Sequence, residues 1–315
     1  MTERIGVLGA GSWGTALANH CARVGHEVHL WGRDPSLVSE IGAARENPRY
    51  LPGVPLSRAI TVTSSVEAAL KGAAIVIAAV PSHGMRDVLR HAAPVVARNA
   101  ILVSATKGLE TDVVLSGPSF AAEVARGLPT AVVAASTDQR AGCRVQEALR
   151  GPTFRLYGTD DVPGVEFGGA LKNVIAIAAG TLEGLGLGHN AMAALITRGL
   201  VEMSRLACAE GARRDTLSGL SGLGDLVLTC TGDLSRNRRV GIELGRGRAL
   251  EDILSHMRMV AEGVRTTGVA LALSARHGVE LPIAAQMAAV LDGRTSPKDA
   301  VEALMLRRQR QEADM

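Results

Sequence analysis

Two lysines, Lys107 and Lys172, stand where an amine could do proton chemistry. Of the 34 basic residues in this 315-residue chain only four are lysine: Lys71, Lys107, Lys172 and Lys298. An arginine guanidinium stays protonated and grips anions, whereas a desolvated lysine amine can give and take a proton. Lys107 lies in Ala105-Thr106-Lys107-Gly108-Leu109, just beyond an apolar run with strand character. Lys172 lies in Gly168-Gly169-Ala170-Leu171-Lys172-Asn173-Val174, within an apolar helical stretch. Neither setting suits a solvated surface residue. Lys71 and Lys298 are as readily placed by chance.

Gly9-Ala10-Gly11-Ser12-Trp13-Gly14 follows a first strand and opens a helix. Gly9 permits the tight turn, Gly11 lets a pyrophosphate approach the backbone, and Gly14 brings helix and strand together, which makes this a dinucleotide fingerprint in its proper place. The second strand ends in Trp31-Gly32-Arg33-Asp34. An acid there would hold the free ribose 2′-hydroxyl of NAD(H), and an arginine suits the 2′-phosphate of NADP(H). Arg33 stands first, so NADP(H) is at least tolerated. Val80-Pro81-Ser82 ends another strand at the same sheet edge, as a cofactor contact or a plain strand stop. Ser116-Gly117-Pro118-Ser119-Phe120-Ala121 is a glycine turn into a helix, able to lend amides to a substrate oxygen or to the cofactor.

Farther along, Ser221-Gly222-Leu223-Gly224-Asp225-Leu226 reads as a glycine-hinged loop with one acid. Ser235-Arg236-Asn237-Arg238 offers a serine cap, backbone amides, a positive helix end and a fork-shaped cation, which together would cradle a phosphate.

These residues need elements to position them. Strand character recurs at 4–8, 27–31, 59–63, 74–80, 100–105, 113–116, 130–135 and 154–157, with helical spacing at 13–24, 35–44, 66–71, 85–91 and 139–149. Strands alternating with helices imply an α/β fold, a doubly wound Rossmann-type domain. Near Gly164 the pattern becomes wholly helical, with segments at 165–182, 190–211, 236–246, 250–256, 264–277, 283–291 and 297–308. The expected domains are a dinucleotide-binding domain, 1–163, and an all-α substrate domain, 164–315. One link is anomalous: seven residues, 106–112, join two strands, whereas a crossover between parallel neighbours takes roughly a dozen or more. Either the second strand runs antiparallel, or a helix-sized segment is missing.

Composition narrows the function classes. A net charge of +3 spread along the chain gives no block suited to nucleic acid. Cys21, Cys143, Cys208 and Cys230 are too scattered for zinc or a disulfide framework, so no metal is expected and the thiols are read as reduced and mostly buried. The chain enters a strand directly after Thr2-Glu3-Arg4, and its most apolar run, 174–182, is shorter than the ~20 residues of a membrane span. A cytoplasmic protein without membrane insertion is the expectation.

Through the motifs at Gly9, Trp31, Val80, Thr106, Ser116, Gly169, Gly222, Ser235 and Val260, the chain resembles the bacterial NAD(P)-dependent glycerol-3-phosphate dehydrogenases over nearly its whole length. Similar proteins carry an additional helix at the anomalous link. The resemblance implies reversible reduction of dihydroxyacetone phosphate, a small phosphorylated three-carbon substrate, to sn-glycerol 3-phosphate, supplying glycerophospholipid synthesis. It implies Lys172 as general acid/base, Lys107 as a second cation at the substrate oxygens, and Asp225 as the orienting carboxylate. Ser235, Arg236 and Asn237 would hold the phosphate, with Gly117, Ser119 and Asn173 also against the substrate. Ser12, Trp13, Arg33, Lys107, Ala121, Arg236, Val260 and Glu262 would join Gly9, Gly11 and Gly14 around NADP(H) or NAD(H). A homodimer is expected from the apolar helical domain. The rival readings are a dehydrogenase of the same plan acting on a small hydroxyacid or sugar acid, and a non-catalytic cofactor-sensing regulator.

Overall fold

The computed structural model describes residues 2–106, 111–257, 261–309 and 311, in two compact units, Met1–Val162 and Pro163–Met315. Lys107 and Val260 lie outside the described residues.

The first unit is an α/β sandwich. Its strands are β1 (Arg4–Leu8), β2 (Glu27–Trp31), β3 (Glu46–Asn47), β4 (Leu51–Pro55), β5 (Ile60–Thr63), β6 (Ile75–Ala78), β7 (Ile101–Ser104), β8 (Val113–Ser116), β9 (Thr130–Ala135) and β10 (Phe154–Thr159). Its helices are α1 (Ser12–Arg23), α2 (Pro35–Ala44), α3 (Val66–Leu70), α4 (Ser82–Ala92), α5 (Ala121–Arg126) and α6 (Gln139–Leu149). The main sheet runs β10-β9-β8-β7-β6-β1-β2-β5. Ile5, Val7, Ile75 and Ile77 enter one core, whereas Leu8, Val76 and Ala78 enter another on the opposite face. Period-two side chains that are apolar in both directions are what a sheet covered on both faces requires. Connections from β1 proceed outward to β2 and β5 on one side and from β6 to β7 on the other. The order therefore reverses between β1 and β6, where open α/β sheets leave a crevice at the strand ends.

Two features of the sheet differ from the sequence expectation. β9 and β10 run antiparallel to the other six strands, through the β8–β9 pairing. β7 and β8 are parallel, which overturns the antiparallel alternative for the short link. A stagger makes this possible: Val113, the first residue of β8, sits opposite Val103, the penultimate position of β7, and only two residue pairs are in register. The chain thus has almost no strand length to retrace. Asp112, at the end of the link, accepts a 2.7 Å hydrogen bond from the N–H of Leu102 and ties the return to β7.

The second unit contains α7 (Val162–Gly184), α8 (Gly188–Ala209), α9 (Arg214–Leu217), a π-helical turn (Leu220–Gly224), α10 (Asp225–Thr231), α11 (Arg236–Gly245), α12 (Leu250–Ser255), α13 (Glu262–His277), α14 (Pro282–Leu291) and α15 (Pro297–Met305). The 221–226 stretch is therefore helical rather than a loop. α7 spans 23 residues with a mean hydropathy of 1.2 in its most apolar window, so it is long and apolar enough to cross a membrane, unlike the shorter run read from sequence. That window is 83% buried inside the structure, the pattern of a core helix.

α7 and α11 cross at backbone contact through two paired glycine spacings, Gly180/Gly184 and Gly241/Gly245. A Cβ at Gly180 would collide with the carbonyl oxygen of Arg238, and one at Gly241 with that of Ile177. The close crossing brings the first turn of α11 against the Lys172-Asn173 stretch of α7.

Glu202, buried on α8, accepts from the N–H groups of Ile283 at 2.7 Å and Ala284 at 3.3 Å and so caps α14. Burial pushes its carboxyl up to about 7, outweighing those two bonds and the charges of Arg205 and Arg307, which act the other way. The folded protein then keeps a proton that the unfolded chain has released, so this contribution is fully present below about pH 4.5 and is lost as pH rises through about 7. The expected loss is on the order of 3 kcal/mol. Thermal midpoints of native protein and Glu202→Gln from pH 4 to pH 8 measure it. The native midpoint should fall more steeply, and parallel curves would contradict the assignment.

Candidate active site

In the first unit, the glycine loop is built as its spacing predicts. Gly9 takes a positive φ of 116°, and its N–H donates to the carbonyl of Trp31 at 3.0 Å. A Cβ at Gly14 would collide with the carbonyl oxygen of Gly9, so only glycine lets α1 sit this close to β1. A Cβ at Gly11, by contrast, would meet nothing within 4 Å. Gly11 caps α1 without a side-chain bond, at the N-terminus of a 12-residue helix. An anion fits there, and a dinucleotide pyrophosphate is the anion that this turn accommodates. Ser12 donates to the carbonyl of Tyr50 at 2.6 Å, and Trp13 packs half-buried on the core.

Behind the loop stands Asn47, fully buried on β3. Its amide nitrogen donates to the carbonyl of Ala10 at 3.0 Å and to the Thr15 hydroxyl at 2.9 Å, while its oxygen accepts from the N–H of Tyr50. The sequence reading missed Asn47, because a two-residue strand paired with a Pro-rich partner gives no alternation to detect.

At the end of β2, Arg33 is exposed and has no ion pair among the described residues. Asp34 is occupied: it caps α2 through the N–H of Ser36 at 2.9 Å and pairs with Arg49 at 2.9 Å. Gly117 takes a φ of 144° in its turn, the Ser119 hydroxyl donates back to the Gly117 carbonyl at 2.9 Å, and Ala121 begins α5. The buried Thr106 hydroxyl donates to the carbonyl of Val80 at 2.6 Å, which ties the residue before Lys107 to the end of β6.

In the second unit, the buried Lys172 amine on α7 forms an ion pair with the carboxylate of Asp225, the first residue of α10. Thr229, one turn later, donates to the Asp225 carbonyl at 2.6 Å and lies 3.4 Å from Oδ1 of the same residue. Reading 221–226 as a loop concealed that helical spacing. Neither charge of the pair is free to move without stranding the other in a dry site, which costs about 3–5 kcal/mol when one partner is removed.

Ser235 caps α11 by accepting from the N–H of Arg238 at 3.2 Å. Arg236 is exposed, without an ion pair among the described residues, whereas Arg238 is held by Glu183 at 2.7 Å and Asp233 at 3.1 Å. Arg236, like the exposed Arg239, is thus left available to an incoming anion. Asn237 is buried and donates from Nδ2 to Oδ1 of Asn173 at 3.0 Å, while its own Oδ1 accepts from the N–H of Gly263 at 3.0 Å. Glu262 is half-buried at the start of α13. Three buried polar atoms here lack a partner among the described residues, Asn173 Nδ2, Ser221 Oγ and Arg238 Nε. Of the thiols, Cys21 and Cys230 are buried and pushed up to about 12 by that burial, but Cys143 and Cys208 are exposed, contrary to the mostly buried expectation. No cluster of three or more potential metal ligands occurs among the described residues.

Comparison with known proteins places the chain in a family. The family model for the N-terminus of NAD-dependent glycerol-3-phosphate dehydrogenase matches residues 4–142, and that for its C-terminus matches residues 161–302. The chain is similar to proteins named glycerol-3-phosphate dehydrogenase [NAD(P)+] from Geobacter sulfurreducens (51% identity, 98% of each chain) and Acidobacterium capsulatum (52% identity, 98% of this chain and 100% of the relative). The first of these alignments spans 328 positions, more than the 315 residues here, so that relative carries residues this chain lacks, in keeping with the short β7–β8 link. A crystal structure of glycerol-3-phosphate dehydrogenase from Coxiella burnetii superposes with a TM-score of 0.92 at 40% identity, covering 97% of this chain and 99% of that one. The chain belongs to the NAD-dependent glycerol-3-phosphate dehydrogenase family.

Proposed function

We propose that this protein catalyses the reversible NAD(P)H-dependent reduction of dihydroxyacetone phosphate to sn-glycerol 3-phosphate and supplies glycerophospholipid synthesis. The observation that carries the reading is the buried Lys172–Asp225 pair on the helix that also meets, through Asn173 and Asn237, the capped first turn of α11. One group there can move a proton and the other can hold a phosphate.

When bound, the dinucleotide supplies the hydride that reduces the ketone carbon. Gly9, Gly11, Ser12, Trp13 and Gly14 hold its pyrophosphate through the first amides of α1, with Arg33, Ala121, Val260 and Glu262 completing its contacts. Lys172 gives its proton to the carbonyl oxygen as negative charge develops there, and in the reverse direction takes it back. Asp225 holds the amine in place, with Thr229 fixing the carboxylate. Lys107 adds a second positive charge at the substrate oxygens. Arg236 grips the phosphate, helped by Ser235 and by the free amides at the start of α11, and Gly117 and Ser119 bound the substrate from their turn. No step requires a metal ion.

Arg33 and Asp34 decide the cofactor form. With Asp34 engaged by α2 and Arg49, the exposed Arg33 is left to meet a 2′-phosphate. Arg33→Asp should therefore move the ratio of kcat/KM for NADPH over NADH toward NADH by about tenfold or more. An unchanged ratio would mean that Arg33 points into solvent in the complex.

We place the enzyme in the cytoplasm, which its four free thiols support. It acts as a homodimer, consistent with Leu223, Val227 and Leu234 remaining exposed on the second unit, and a native mass measurement tests that state. The deciding assay is oxidation of NADPH and NADH by the purified protein with dihydroxyacetone phosphate and with small keto acids. Preference for a keto acid would favour the hydroxyacid dehydrogenase reading.

A further inference from the structure

One short segment of the first unit reaches both ends of the proposed dinucleotide site. Asn47, on β3, donates to the carbonyl of Ala10 at 3.0 Å, and the carbonyl of Tyr50 accepts from the Ser12 hydroxyl at 2.6 Å. The chain between β3 and β4 is thus fastened to the glycine turn on either side of Arg49. Arg49 itself reaches the end of β2, where Nη1 donates to Oδ2 of Asp34 at 2.9 Å.

The guanidinium is held in that direction. Nε donates to Oε2 of Glu40 at 2.8 Å, and Nη2 donates to Oε1 of the same carboxylate and to Ser36 Oγ, the latter at 3.2 Å. Both acceptors stand on α2, and this two-pronged grip leaves Nη1 aimed at Asp34. With Oδ1 of Asp34 accepting from the N–H of Ser36 at 2.9 Å, each oxygen of that carboxylate has a donor within the protein. Arg33, next to it, is exposed and has no ion pair among the described residues.

An acid at this place in a dinucleotide fold accepts from the free 2′-hydroxyl of NAD(H), and its charge opposes the 2′-phosphate of NADP(H). Here that charge is cancelled within the protein. We propose that Arg49 is a specificity-determining residue: by occupying Asp34 it suppresses the acid that would select NADH, and so lets Arg33 set a preference for the 2′-phosphate. This rests on the reading of the glycine turn as the dinucleotide site. The side chains of Arg49, Asp34 and Glu40 are 40–49% exposed, so water and salt screen them and the effect is a modest one.

The test is Arg49→Leu, with the dissociation constants of NADPH and NADH measured by titration without substrate. Freed of its partner, Asp34 keeps its bond to the Ser36 N–H and turns an uncompensated negative charge toward the 2′ position. NADPH should bind more weakly and NADH at least as well. The ratio of the two constants should move toward NADH by roughly threefold to tenfold at low salt, and by less at ~0.5 M salt. Arg49→Lys keeps the charge and should keep most of the native ratio. In the Asp34→Asn background, where asparagine can still cap α2 but carries no charge, Arg49→Leu should move the ratio much less.

A residue that merely fastened its segment to α2 would weaken both cofactor forms alike, and that outcome, or an equal shift in both backgrounds, would overturn the proposal. If Arg49→Leu does not fold, Arg49→Gln removes the same charge while keeping a donor for Glu40. The site reading fails separately: native protein that bound neither dinucleotide would overturn it, and the role of Arg49 with it.

Discussion

Replacing Lys172 with alanine is expected to lower kcat by about 10²–10⁴-fold, the usual worth of a positioned proton donor, while dinucleotide affinity stays near the native value. The amine is proposed to act on the reacting oxygen, whereas the glycine loop that would hold the cofactor lies in the other compact unit. Alanine also leaves Asp225 buried without its counter-charge, so the variant should melt earlier by an amount set by about 3–5 kcal/mol. Lys172→Arg separates the two effects. A guanidinium can still neutralise Asp225, so more stability should return, but it cannot exchange the proton and turnover should stay low. Near-native turnover in either variant, measured as NADPH oxidation with saturating dihydroxyacetone phosphate, would remove Lys172 from the acid/base role.

Much of this arrangement was legible because local chemistry and tertiary role coincide. The glycines at 9, 11 and 14 are dictated by how close α1 comes to β1, so their spacing alone announces the turn. Ser235 caps its own helix, and Lys172 stands out in an arginine-dominated chain. What escaped detection was set by packing at a distance. Asn47 props the glycine loop from a two-residue strand whose partner β4 contains two prolines, a composition that argues against a strand. The Leu220–Gly224 turn contains three glycine or serine breakers and read as a loop, yet it is helical in place, and with that misreading went the link between Thr229 and Asp225. For the β7–β8 link the sequence left two readings open, an antiparallel return or a missing helix-sized segment; the parallel pairing removes the first, and the longer alignment with the Geobacter sulfurreducens relative is in keeping with the second.

The roles of the two arginines at the start of α11 also became separable only in three dimensions. Arg236 and Arg238 look equivalent in Ser235-Arg236-Asn237-Arg238, but Arg238 is consumed by Glu183 and Asp233 while Arg236 has no ion pair among the described residues. Arg236→Ala should therefore remove a charge-assisted, two-pronged contact to the substrate phosphate, about 1.5–3 kcal/mol of binding, or roughly 10- to 150-fold in kcat/KM. The loss should fall on dihydroxyacetone phosphate and spare unphosphorylated dihydroxyacetone, whose turnover does not use the contact. Because Arg236 is exposed and unpaired, no buried charge is stranded and the melting temperature should stay close to native. Arg238→Ala should show the reverse pattern, with lowered stability from an unpaired Glu183 and a loosened α7–α11 crossing, and a smaller change in discrimination between the two substrates. If both variants lost stability and phosphate preference together, the first turn of α11 would be structural, and the phosphate would have to be held elsewhere.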